Sequence, residues 1–140
     1  MVIKKTFEEL SNYELWQIAM LRSNVFTIEQ KILEEELEDK DYKALHYFIK
    51  EDNKIIAYAR MIDNKLGRVC TNINYRNKGY QTKIIKTIMG DYNSLIISAQ
   101  LQVVNFYKNL GFKEEGVIYL EANIKHIKMT YNKESKGIIK

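Results

Sequence analysis

Proline is absent from this 140-residue sequence, so its turns must rest on glycine, asparagine and aspartate. A single cysteine, Cys70, excludes an internal disulfide framework and any cysteine-based zinc site. No apolar run approaches the ~18 residues of a membrane span; Leu95-Ile96-Ile97 is typical of the short runs present. The opening residues, Met-Val-Ile-Lys-Lys-Thr-Phe-Glu-Glu-Leu, hold no apolar core of the signal-peptide kind. The expectation is a cytoplasmic protein without membrane association.

Arginine is scarce too. Of 22 basic residues only Arg22, Arg60, Arg68 and Arg76 are arginines, the other 18 being lysines. In so lysine-rich a chain, an arginine marks places where a planar, bidentate cation is needed. Net charge is +4, but Glu34–Asp41 form an acidic block, and the aromatic residues do not interleave with the lysines in the regular way that a stacking surface needs. A stacking platform for nucleic acid is therefore not expected.

What is present is ordinary for a globular domain: 46% hydrophobic and 29% charged residues. A chain of this length buries roughly 68% of its unfolded surface on folding, so one domain over 1–140 is expected. Ser11-Asn12-Tyr13-Glu14 has the form of a capping box. Leu15, Ile18, Ala19, Arg22 and Phe26 follow at helical spacing, predicting a helix to about Phe26. Strands follow over Leu45–Lys50, Ile55–Asp63 and Arg68–Asn72, with turns at Glu51–Lys54 and Asn64–Gly67. A helix through Ile84, Ile85, Ile88 and Met89 ends at Gly90, Ser94–Gln100 is a strand, and Leu101–Leu110 a short helix closed by Gly111. Phe112–Leu120 and Lys125–Tyr131 complete the chain as strands. The pattern defines a mixed α/β or α+β domain.

Two segments can carry chemistry. A strand running through Arg76-Asn77-Lys78-Gly79 into a helix places cations beside unpaired first-turn N–H groups, which makes an anion site. In Asn105–Phe112, the phenol of Tyr107 can serve as a proton donor or simply as a core ring. Cys70 reads as a small buried hydrophobe, since no base flanks it. The acidic block has two readings, a solvated loop or a field drawing a cationic amine to the site. His46 reads as a packing residue.

Taken in order, these residues resemble the GCN5-related N-acetyltransferase (GNAT) pattern, and more specifically its ElaA-type branch. The matching pieces are Arg76-x-x-Gly79 and Phe106-Tyr107-x-x-x-Gly111-Phe112. Leu21-Arg22-x-x-Val25-Phe26 with Glu29-Gln30, Tyr58-Ala59-Arg60, Gly67-Arg68-Val69, Ala99-Gln100, Tyr119-x-Glu121 and His126-Ile127-x-Met129 also match. They span about residues 7–130, and all four arginines fall inside them.

The resemblance implies a central mixed, mostly antiparallel sheet splayed at a cofactor cleft and flanked by helices. It implies acetyl-CoA as co-substrate, its pantetheine along Val69, Cys70 and Thr71. The pyrophosphate would rest on Arg76, Asn77, Lys78, Gly79, Tyr80 and Gln81, with Gln100 beside the cofactor arm. An amine, small or peptidyl, would attack the thioester directly, with Tyr107 protonating the departing thiolate. Glu29, Glu121 and His126 are the candidate bases, histidine being the side chain that ordinarily titrates nearest neutrality. No metal is implied, and the chain is expected as a monomer or homodimer.

Gln81 departs from the small residue usual in this pattern, and can either crowd the pyrophosphate or hydrogen-bond to it. Ala122-Asn123 replace the usual Asp-Gly. The alternative function is a CoA-binding module with little catalysis.

Overall fold

Ser11 opens the first helix by the expected exchange. Its Oγ accepts the Glu14 backbone N–H at 3.0 Å, and Glu14 Oε1 accepts the Ser11 N–H at 2.9 Å. The computed structural model describes residues 1–134; the last six residues of the expected 1–140 domain lie outside the described residues. Helix α1 runs Asn12–Arg22. Periodicity carries it to about Phe26, but the α-helical turns stop at Arg22 and widen into π-helical turns over Ser23–Glu29, a form frequent at functional sites.

The strands are β1 (Ile3–Thr6), β2 (Leu45–Glu51), β3 (Lys54–Ile62), β4 (Lys65–Thr71), β5 (Ser94–Gln100), β6 (Lys113–Glu121) and β7 (Ile124–Asn132). They form one sheet in the order β1-β2-β3-β4-β5-β7-β6. Helix α2 (Tyr80–Asp91) lies between β4 and β5, and α3 (Val104–Leu110) between β5 and β6. The class is α/β, as the element pattern indicates, with the mixed, mostly antiparallel sheet that the resemblance implies. β1 was not legible, because four residues carrying two lysines show no alternation. Asn64–Gly67 is also not a turn as a unit. Asp63, at φ 52°, turns the chain with Asn64, since Asp and Asn tolerate left-handed backbone. Gly67 then sits inside β4 opposite Arg60, where the β3–β4 register shifts.

All neighbouring strands are antiparallel except β4 and β5. That parallel pair meets only at Lys65↔Ile96 and Leu66↔Ile97. Beyond Leu66 the two strands part, and the end of β4 faces a cleft. Alternation along β2 serves both faces of the sheet. Phe48 joins Ile55, Tyr58 and Cys70 beneath Ile18, Leu21 and Val25 of the first helical segment. Tyr47 and Ile49 join Leu95, Ile97 and Met129 beneath Ile84, Ile85 and Ile88 of α2. No helix among the described residues is long and apolar enough to cross a membrane.

Candidate active site

Where β4 leaves β5, a cleft of about 930 Å³ opens. Every candidate catalytic or cofactor-binding residue named from the sequence lines it except Lys78. Lys78 instead holds its Nζ over the Tyr75 ring at 5.7 Å from the centroid. Among the described residues no group of three or more His, Cys, Asp or Glu is placed to hold a metal.

One wall is the start of α2. Gly79 takes the N-cap position with φ +85° and no side-chain cap. Left-handed backbone there suits glycine, and nothing lies within 4 Å of where its Cβ would be. With no side chain capping them, the first-turn N–H groups are the kind of donors that an anion can satisfy. Arg76 crosses this wall. Its Nε donates to the Thr71 carbonyl at 3.0 Å, and Nη1 and Nη2 donate to the two oxygens of Glu29 at 2.6 and 2.7 Å. The Arg76 guanidinium holds the Glu29 carboxyl below the usual carboxylate range, so Glu29 is a poor proton acceptor in this arrangement.

Gln81 folds its side chain back onto β3 and β4. Its Nε2 donates to the carbonyls of Cys70, at 2.7 Å, and Tyr58, at 3.2 Å. Carbonyls only accept, so the amide nitrogen must be the atom that faces them. Gln81 Oε1 and Thr71 Oγ1 are left buried without partners among the described residues. Two orphaned polar atoms beside one strand fit a strand that expects a polar, amide-bearing ligand arm. Cys70 is buried, which pushes its thiol pKa far up; it is a packing residue and no nucleophile. On the opposite side Gln100 donates to Gln30 Oε1 at 2.9 Å.

Tyr107 lies at the floor of the cleft in an aromatic row, its ring 5.1 Å from Phe106 and 5.3 Å from Phe112 between centroids. Gly111, at φ +109°, ends α3 and lets the chain turn back to place Phe112 there. Burial raises the Tyr107 pKa, so the phenol stays protonated. Its hydroxyl has no hydrogen-bond partner among the described residues, so its proton is free for a ligand.

Across the cleft stands a polar cluster on β5, β6 and β7. His126 Nδ1 lies 2.7 Å from the Ile124 carbonyl, and because a carbonyl accepts, Nδ1 carries the proton. Nε2 points to Glu121 Oε2 at 3.8 Å. Ser98 Oγ donates to Glu121 Oε1 at 3.1 Å and makes a short contact with the Tyr119 hydroxyl. Ser98 and the partnering hydroxyl of Tyr119 were not singled out as functional from the sequence. Their signal was an isolated serine in the apolar run Leu95–Ala99.

The acidic block is not a solvated loop. Glu36 accepts from Arg22 Nε at 2.7 Å and Arg68 Nε at 2.8 Å. Asp41 accepts from Arg22 Nη1 at 2.7 Å and Arg60 Nη1 at 3.0 Å. Burial alone would raise the Asp41 pKa, but the hydrogen bonds from Arg22 and the Glu38 backbone N–H bring it down to about 2. Only the block's outer members, Glu34, Glu35 and Asp39, are exposed acids. His46 is buried, its Nδ1 2.6 Å from the Tyr58 hydroxyl, in keeping with a packing role.

A mixed sheet splayed between β4 and β5, with an uncapped helix start at the splay and a buried phenol lining the cleft, is the architecture of an acyltransferase fold. Residues 9–133 match the model of the acetyltransferase (GNAT) domain, and the chain belongs to that family. A UPF0039 protein of Schizosaccharomyces pombe is 33% identical over 140 residues, covering 91% of this chain and 93% of that one. YjcF of Bacillus subtilis, described as an uncharacterized N-acetyltransferase, is 30% identical over 139 residues, covering 91% and 96%. Among solved structures, an acyl-CoA N-acyltransferase from Pseudomonas aeruginosa superposes with TM-score 0.86 at 25% identity, over 94% of this chain and 99% of that one. Escherichia coli ElaA superposes with TM-score 0.84 at 24% identity over 94% and 99%, a likeness of fold.

Proposed function

We propose that this chain transfers an acetyl group from acetyl-CoA to an amine, small or peptidyl, by direct attack. The observation that carries the reading is the convergence on one cleft of four features: the freed end of β4, the uncapped start of α2, the unpartnered phenol of Tyr107 and the Glu121–His126 pair. The thioester arm lies along Val69–Thr71, with the orphaned atoms of Thr71 and Gln81 at hand. The pyrophosphate sits on the N–H groups after Gly79.

The amine lone pair attacks the thioester carbonyl carbon, the C–S bond breaks, and the departing thiolate takes its proton from Tyr107. Of the two protons that an ammonium acceptor loses in becoming an amide, one restores Tyr107 and the other leaves through a base. Calorimetric titration with acetyl-CoA, followed by thiol release across a panel of amines, tests the reading. Tight binding with thiol release on at least one amine is expected. Binding without release on any amine would favour a CoA-binding module.

A further inference from the structure

His126 is 5% exposed, yet its Nε2 borders the cleft and makes no hydrogen bond. The ring is fixed from two sides. Nδ1–H donates to the Ile124 carbonyl at 2.7 Å, and Tyr119 stacks on it at 22° with centroids 6.1 Å apart. With Nδ1–H given to that carbonyl, Nε2 holds the lone pair in the neutral ring.

The atom that faces this lone pair is Glu121 Oε2, at 3.8 Å. A lone pair against a carboxylate oxygen is two acceptors without a donor, and 3.8 Å is too long for a direct hydrogen bond. A group with two N–H donors closes the gap, since each arm needs only ~2.9 Å. The carboxylate is held for that purpose. Ser98 has one hydroxyl proton and gives it to Glu121 Oε1, because a carboxylate only accepts. The Tyr119 hydroxyl must then donate to Ser98. The relay Tyr119–Ser98–Glu121 therefore pins one carboxylate oxygen and leaves the other toward His126.

We propose that the acceptor enters as an ammonium bridging Glu121 Oε2 and His126 Nε2, and that His126 Nε2 takes its first proton. Glu121 anchors the cation, and the nitrogen freed of that proton attacks the thioester. The proposal rests on acyl transfer as the function, and it selects His126 from the three candidate bases. Glu29 is excluded by its bidentate pair with Arg76. The groups facing the imidazole are Glu121 and Tyr119 on β6 and Ser98 and Gln100 on β5.

The test pairs an alkylamine that the wild-type chain turns over with its trifluoro analogue, which is already neutral at assay pH. His126→Gln should lose ~10²-fold in kcat/KM on the alkylamine, the lower end of general-base effects. It should lose far less on the neutral analogue, which needs no base before attack. Glu121→Gln should raise KM for the alkylamine with a smaller change in kcat. Unchanged acetyl-CoA affinity by calorimetry controls for folding. An equal loss on both amines would make His126 a packing residue and overturn the proposal, as would full activity of His126→Gln. A wild-type chain that binds acetyl-CoA but acetylates no amine would remove the underlying function as well, and so is a distinguishable failure.

Discussion

Glu29 and Arg76, nominated from the sequence for two separate duties, are bonded to each other. Arg76 Nη1 donates to Glu29 Oε2 at 2.6 Å and Nη2 to Oε1 at 2.7 Å. The pair joins the π-helical segment after α1 to the turn before α2, across the cleft mouth. It stands between Arg76 and any anion on that turn, and between Glu29 and any proton it would accept.

Glu29→Gln therefore should not abolish chemistry. Loss of the charge releases Arg76, and acetyl-CoA affinity should rise while kcat falls at least tenfold less than it does in His126→Gln, a gap of ~1.4 kcal/mol. Steady-state kinetics and calorimetry on the two variants check this. A collapse of kcat in Glu29→Gln would return the base role to Glu29.

Gly79→Asp tests the anion cradle. The substitution forces a side chain into left-handed backbone at φ +85° and sets a carboxylate where phosphate should lie. Acetyl-CoA affinity should fall at least tenfold, or ~1.4 kcal/mol. Calorimetry on a variant with a cooperative melting transition reads it, and unchanged affinity would remove the pyrophosphate from this turn.

Gln81→Gly separates support from crowding. The amide bridges the Cys70 and Tyr58 carbonyls at the irregular β3–β4 junction. Its loss should cost about 1–3 kcal/mol of stability, from carbonyls left unsatisfied and from glycine in a helix. Melting temperature should drop without any gain in acetyl-CoA affinity. Tighter binding in a variant of undiminished stability would mean that the glutamine crowds the site.

Acid should unfold this chain through its buried carboxylates. Asp41 is depressed from 3.8 to about 2, its hydrogen bonds with Arg22 and the Glu38 N–H outweighing burial. Burial likewise opposes Glu14, but hydrogen bonds from Lys50, Ser11 and Lys5 bring it from 4.5 to about 2. A folded-state pKa below the unfolded one gives stability that is complete above the unfolded value and lost as pH falls toward the folded one. The loss should thus occur between about pH 5 and pH 2. Glu14→Gln, measured by denaturant titration across that window, should reduce the slope by up to ~1.4 kcal/mol per pH unit. An unaltered slope would show that this carboxylate is not linked to folding.

The sequence carried the ordered elements well where a local rule governs them. Ser11 and Glu14 made their capping box, and Ile84, Ile85 and Ile88 made the buried face of α2. The family resemblance and the splayed sheet it implied agree with the fold. What was illegible depended on distant partners. The scarce arginines did mark bidentate or multiple contacts, but their partners are carboxylates: Glu36 and Asp41 for Arg22, Glu29 for Arg76. No spacing rule links Arg22 to Asp41 or Ser98 to Glu121, because the sheet order that brings them together is set by the whole core. Gln81 was recognised as unusual, but its turn toward Cys70 depends on an irregularity in β3–β4 pairing that leaves no local signature.

The central claim is that the cleft performs acyl transfer with the Tyr107 phenol as acid. Tyr107→Phe tests it most directly, because the ring and its packing on Phe106 and Phe112 are kept. Single-turnover thiol release and the acetyl-CoA dissociation constant should be measured on one preparation, together with its melting temperature. Release should slow ~10²-fold, near the lower end of general-acid effects, because a thiolate leaves readily. The dissociation constant should stay within about twofold, the mark of an interaction made in the transition state. A variant that melts lower but releases thiol at the wild-type rate would contradict the account.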